Sequence, residues 1–136
     1  MTSYNYSNDI FIMKLNAAGN LLWAKQIGGL GTEIGVDLNL DAANNVYVTG
    51  QFQSGDFDPG VDSVLLYAVG SSDIFIVKLD SLGNFKWANA FGGTGGDAGY
   101  AVALDSLNNV YLGGLFDDTA SFSTGGIPYN LFAIGA

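Results

Sequence analysis

Along this chain the apolar residues come in short blocks that alternate with polar positions or run for four to seven residues, always between clusters of Gly, Asn and Asp. A period near two bounded by turn formers predicts β-strands, and no stretch carries the 3.6-residue period of a helix. In the second half the predicted strands run over 74–79, 85–91, 100–104 and 110–116, with a further candidate over 64–69. The first half repeats the scheme.

That repetition is literal. Asp9-Ile10-Phe11-Ile12 returns as Asp73-Ile74-Phe75-Ile76, and Lys14-Leu15 as Lys78-Leu79, at a constant spacing of 64. Gly19-Asn20, Trp23-Ala24 and Gly28-Gly29 return as Gly83-Asn84, Trp87-Ala88 and Gly92-Gly93. Asn44-Asn45-Val46-Tyr47 returns as Asn108-Asn109-Val110-Tyr111. After one extra residue, Leu66-Tyr67-Ala68-Val69-Gly70 aligns with Leu131-Phe132-Ala133-Ile134-Gly135. Self-similarity of this length marks a repeat architecture. The chain therefore reads as two copies of one unit, about 9–72 and 73–136, within a single segment spanning 1–136.

Four loops share one form: Asn16 to Asn20, Asp41 to Asn45, Asp80 to Asn84 and Asp105 to Asn109. An Asp or Asn side chain at the first position accepts from backbone amides ahead of it, and Gly or Asn at the fourth supplies a positive φ. A metal reading of these aspartates exists, but the turn accounts for them.

Composition narrows the chemistry. The chain has 136 residues, 20 glycines, no cysteine and no histidine, and its four Lys/Arg positions are all lysine against 13 acidic residues, for a net charge of −9. Such a balance argues against binding nucleic acid or anionic membranes. Without His or Cys there is no Ser-His-Asp or Cys-His catalysis, no zinc site with nitrogen or sulfur ligands, and no disulfide. Charged residues are only 12% of the chain, too few for a disordered acidic tail. No apolar run reaches the ~18 residues of a membrane span, and the polar N-terminus has no signal pattern, so a soluble, unprocessed chain is expected.

Short antiparallel strands in a glycine-punctuated repeat suggest the four-stranded blades of a β-propeller. The string Asp73-Ile-Phe-Ile-Val-Lys-Leu-Asp-Ser-Leu-Gly-Asn-Phe-Lys-Trp-Ala88, then Phe91-Gly-Gly93, then Ala103-Leu-Asp-Ser-Leu-Asn-Asn-Val-Tyr-Leu-Gly-Gly114 resembles the SBBP family of bacterial β-propeller repeats. The resemblance covers nearly the whole chain, twice. It implies a propeller fold and an extracellular or cell-surface setting, and the family's biochemical role is mostly undefined. The segment Gly55-Asp-Phe-Asp-Pro-Gly60 also looks like this family, whereas the second copy departs from it with Thr119-Ala-Ser-Phe-Ser-Thr124.

The order of segments is similar to the NHL type of propeller repeat as well. That analogy implies one complete blade over about 35–91, with half-blades at both ends. Two sheets cannot surround a channel when propellers use ~4–8. Ring closure by oligomerisation is therefore expected, head to tail, with three or four chains favoured. The competing account is a fragment of a longer surface-protein propeller.

Several residues are candidates for particular roles. Trp23 and Trp87 occupy equivalent positions and sit in a setting similar to the docking motif of quinoprotein-type propellers, which implies packing onto the next blade; a sugar platform is the alternative. Their spacing from Asp departs from the Asp-box of sialidases. Asp56, Asp58 and Asp62 are spaced as positions one, three and seven of a calcium loop around Gly60, in a degenerate version without a terminal Glu. Calcium is thus a candidate cofactor, beside a reading with no cofactor and solvated loop acids. Lys14 and Lys78 are expected to satisfy carbonyls or acidic neighbours. Asp37 and Asp97 have no pattern that makes them an acid–base pair, and Asn5-Tyr6-Ser7 is a formal glycosylation sequon. No catalytic residue is predicted, and the ligand is unknown. A structural or binding module is the expected function, with a lyase or hydrolase whose site forms at the channel of a complete propeller as the alternative.

Overall fold

A computed structural model describes residues 7–135. The sequon falls mainly on Asn5 and Tyr6, outside the described residues. In chain order the strands are β1 (Ile10–Leu15), β2 (Leu21–Ile27), β3 (Glu33–Leu40), β4 (Val46–Phe52), β5 (Ser54–Asp56), β6 (Leu65–Tyr67), β7 (Asp73–Leu79), β8 (Phe85–Gly93), β9 (Ala98–Leu104), β10 (Val110–Leu115), β11 (Thr119–Ser121) and β12 (Asn130–Phe132). The fold is all-β, with no helix among the described residues.

Strands β3, β4, β7 and β8 form an antiparallel sheet in that order, extended past β8 by β11 and β12. On either side of it stands a two-stranded sheet, β1–β2 and β9–β10. The predicted strand over 64–69 is shorter, Leu65–Tyr67, because Val64 turns in to donate its N–H to Asp56 Oδ1 at 2.8 Å.

The four loops work as their sequences dictate. Asn16, Asp41, Asp80 and Asp105 each accept from the amides two and four residues ahead at 2.9–3.0 Å. The fourth residue carries the positive φ: 84° at Gly19, 62° at Asn44, 82° at Gly83 and 63° at Asn108. Asx geometry plus one left-handed residue closes each hairpin.

The segments that differ most between the copies fold alike. β5 pairs with β6 and β11 with β12, each as a three-residue hairpin. The first hairpin touches the preceding strand through the Gly28–Asp56 bridge, the second through Gly92 and Gly93 opposite Ser121 and Ala120. Backbone pairing outlives the sequence change at Thr119 to Thr124 because ladder bonds need no particular side chain.

The central sheet is covered on both faces. Phe75, Val77 and Leu79 of β7 join Val46, Val48 and Phe52 of β4 in a core completed by Ile10, Ile12 and Ile27 from β1–β2 and by Phe57. On the other face Tyr47 and Ile76 pack with Val102 of β9, flanked by Trp87, Phe91, Leu104 and Val110. Two-sided burial explains why β7 is an unbroken apolar run rather than an alternating one. The outer sheets each have one such partner face and present Phe11, Met13, Tyr100 and Tyr111 to solvent.

Candidate functional site

Two kinds of constellation stand out: contacts that join neighbouring sheets, and buried acids beside an open groove. The sheet-to-sheet contacts begin at β2. Trp23 Nε1 and Lys14 Nζ both donate to the carbonyl of Ser81, each at 3.2 Å, and the indole lies against Gly83. A methyl group at Gly83 would come within 3.1 Å of Trp23 Cδ2 and 2.9 Å of Lys25 Cε. The turn between β7 and β8 is thus the seat of the β2 tryptophan, and its glycine is needed for the left-handed φ and for the close approach. Trp87 meets Tyr47 edge-on, with ring centroids 6.0 Å apart. Lys78 lies over the same tyrosine ring, 5.0 Å from its centroid, and 3.9 Å from Asp41.

On the other side, Asp37 Oδ2 accepts from Val102 N at 2.9 Å, while Asn39 Nδ2 donates to Val102 O at 3.2 Å. This two-point clamp holds β9 against β3. Asp97 lies apart from Asp37, accepting from Gly93 N at 2.8 Å and Asp117 N at 3.0 Å. Both aspartates are occupied as acceptors for backbone amides.

The loop acids divide. Asp56 Oδ1 takes the amides of Asp58 and Val64, and Asp58 Oδ1 takes that of Gly60 at 2.7 Å. Asp62 is exposed. Among the described residues no three acidic side chains gather as a metal-binding group.

A different pair of acids is repeated through the fold. Asp9 and Glu33 of the first copy correspond, at a spacing of 64, to Asp73 and Asp97 of the second. Glu33, Asp73 and Asp97 are buried, and Asp9 Oδ1, Glu33 Oε2 and Asp73 Oδ1 have no hydrogen-bond partner. Gly28 and Gly92 make the space: a Cβ on Gly28 would lie 2.5 Å from Asp9 Cγ, and one on Gly92 would lie 2.5 Å from Asp97 Oδ2 and 2.6 Å from Asp73 Cγ. Burial, reinforced by the charge of Asp9, pushes Glu33 up to about 7, with the amide of Ser54 offsetting part of the rise. Burial raises Asp73 as well, and the charge of Asp97 adds to it. Asp9, Glu33 and the strand positions Ile10 to Ile12 and Ile34 to Leu38 line an open groove of about 1060 Å³ between β1 and β3.

Motif reading passed over this pair. The available signal was that Glu33 is the only glutamate in the chain and falls on the position of Asp97, one acid for another.

No family model matches the chain. It is similar to an uncharacterized WD repeat-containing protein of Acanthamoeba polyphaga mimivirus, 34% identical over 116 residues, covering 74% of this chain and 8% of that protein. It is also similar to the regulatory protein FlaEY of Caulobacter vibrioides, 28% identical over 108 residues, covering 79% of this chain and 11% of that protein. The chain spans a small part of the length of both relatives. The likeness to a WD repeat protein, together with antiparallel strand pairing and no helix among the described residues, supports a β-propeller-type repeat.

Proposed function

We propose that this chain is a non-catalytic β-propeller-type repeat module whose binding surfaces are its own strand edges, and that a second copy of the chain completes its two outer sheets. The order of the Trp, Gly-Gly and Asn-Val-Tyr segments in both copies favours a repeat of the SBBP type, in an extracellular or cell-surface protein. The observation that carries the assembly is the register of β4 with β7. In the complete sheet Val46 faces Leu79, Tyr47 faces Lys78 and Val48 faces Val77. Shifted by one repeat, these pairs become Val110, Tyr111 and Leu112 of β10 facing Leu15, Lys14 and Met13 of β1 from another copy.

Exposure supports that pairing. Phe75 and Val77 are fully buried, whereas their equivalents Phe11 and Met13 are 67% and 51% exposed. Tyr47 is 2% exposed, and its equivalent Tyr111 is 60% exposed. An open edge lined by such residues is costly in water and pairs readily with another strand. Each copy supplies one complete sheet and two halves, so three copies make six blades and four make eight, and both rings fall within the ~4–8 that propellers use. Head-to-tail contacts of this kind close into a ring or grow into a filament.

Light scattering coupled to size exclusion tests the reading. A discrete trimer or tetramer is expected; a stable monomer that does not aggregate overturns the assembly.

A further inference from the structure

Among the described residues no cationic side chain is paired with Asp9 or Glu33. Glu33 is 1% exposed, its Oε1 takes one long hydrogen bond from Ser54 N at 3.3 Å, and its Oε2 takes none. Gln26 Nε2 donates to Asp9 Oδ2, and Asp9 Oδ1, likewise buried, has no partner. The lysines lie elsewhere: Lys14 donates to Ser81, Lys78 and Lys86 pair with Asp41 and Asp80, and the carbon stem of Lys25 lies against Gly83. The chain has neither arginine nor histidine to take their place. Buried carboxylates are tolerated when paired with a positive charge, metal-bound or protonated.

The second copy provides the contrast. Asp97 has both carboxylate oxygens satisfied by amides at 2.8 and 3.0 Å, so only Asp73 Oδ1 of that pair lacks a donor. In the first copy both acids hold one unpartnered oxygen, and both line the open groove.

We propose that Asp9 and Glu33 form a binding site for a hard divalent cation, calcium above all, held between Asp9 Oδ1 and Glu33 Oε2 at the groove. An all-oxygen donor set suits calcium, which takes 6–8 oxygen ligands in a flexible geometry and accepts waters at the remaining positions. Two carboxylates balance its charge, and the Asn8 and Ser7 positions flank the same groove. With only two acidic ligands the site belongs to the weak class, with a dissociation constant of roughly 0.1–1 mM. Its carboxyl groups are distinct from those of Asp56, Asp58 and Asp62, although Gly55 abuts Glu33 and Gly28, which abuts Asp9, pairs with Asp56; the proposal goes beyond the reading of the chain as a propeller repeat.

The test is calorimetric titration of the chelator-stripped full chain with calcium chloride at pH 7.5, with folding followed by circular dichroism. Wild type is expected to bind in the range above, and Glu33→Gln and Asp9→Asn each to weaken binding at least tenfold, while the loop variant D56N/D58N retains it. Absence of binding by folded wild type up to ~10 mM calcium, well beyond the weak class of sites, overturns the proposal. So does unchanged affinity in E33Q, or loss confined to D56N/D58N. Infrared difference spectra of wild type keep the test independent of any variant. A protonated carboxyl band that persists in saturating calcium and vanishes in E33Q means a proton occupies the pair and overturns the cation; loss of that band on adding calcium supports it.

Discussion

Trp23 Nε1 donates to the carbonyl of Ser81 at 3.2 Å across 58 residues of sequence, seating the outer strand of one repeat on the hairpin turn of the next. Lys14 shares the same acceptor, and Gly83 provides the flat floor. A repeat protein is held together by such nearest-neighbour contacts, so their strength is the strength of the array. The equivalent of Ser81 is Ala17 and that of Gly83 is Gly19. In the proposed assembly the Gly19 turn of a second copy receives Trp87 in the same manner.

Alanine at the two turn glycines separates strain from docking. Gly19 and Gly83 have nearly equal φ, 84° and 82°, so a methyl at either costs about 1 kcal/mol of backbone strain. At Gly19 the methyl meets nothing within 4 Å; at Gly83 it meets Trp23 and Lys25. Gly83→Ala is expected to lose a further ~1 kcal/mol or more in urea unfolding through this overpacking, although the flexible end of Lys25 can move aside. A loss at Gly83 no larger than the backbone strain would mean that the indole does not bear on the turn, whereas an equal extra loss at Gly19 is the result expected where Trp87 of a second copy seats there.

The absence of cysteine makes the strand register directly measurable. A mixture of the single variants Leu112→Cys and Met13→Cys is expected to form an intermolecular disulfide under mild oxidation, since these positions correspond to the paired Val48 and Val77. Leu112→Cys mixed with Lys14→Cys places the side chains on opposite faces of the pleat and is expected to stay reduced. The same yield from both mixtures would rule out the proposed register.

Acid stability follows the hairpin aspartates. The amide of Asn84 and then its side chain hold Asp80 down to about 2, against partial desolvation. Hydrogen bonds from Asn109 lower Asp105 in the same way, and at Asp41 those from Asn45, Ala43 and Tyr47 outweigh a raising effect of burial. A carboxyl whose pKa falls on folding contributes stability that is complete above its unfolded value, here 3.8, and is lost as pH drops through the folded one. Melting temperature is thus expected to fall between pH 4 and pH 2, and Asp80→Asn to flatten part of that fall. An unchanged slope in the variant would remove Asp80 from the account.

The repeat, the strand content and the turns were legible from residue pattern because their causes are local. An Asx side chain and one left-handed residue close each hairpin whatever surrounds them, and alternating apolar residues commit a segment to a pleat. The pairing of Asp9 with Glu33 was not legible, since no motif links an acid ahead of β1 to one opening β3; they meet only when Gly28 and Gly55 let the backbones close in. The hairpin at Thr119 to Ser121 was equally hidden, being built from backbone bonds to Gly92 and Gly93.

The strings Asp9-Ile-Phe-Ile-Met-Lys-Leu15 and Asp73-Ile-Phe-Ile-Val-Lys-Leu79 differ at one position. By itself the sequence determined that both are strands with a Phe on one face and two Ile on the other, because that follows from a period of two. Only the tertiary structure decided that Phe75 is fully buried and Phe11 is 67% exposed. β7 has β4 along its edge and a sheet against each face, whereas β1 has one neighbouring strand and one covered face. Burial is a property of the neighbours a strand acquires, and those contacts are set by the fold rather than by the strand's own residues.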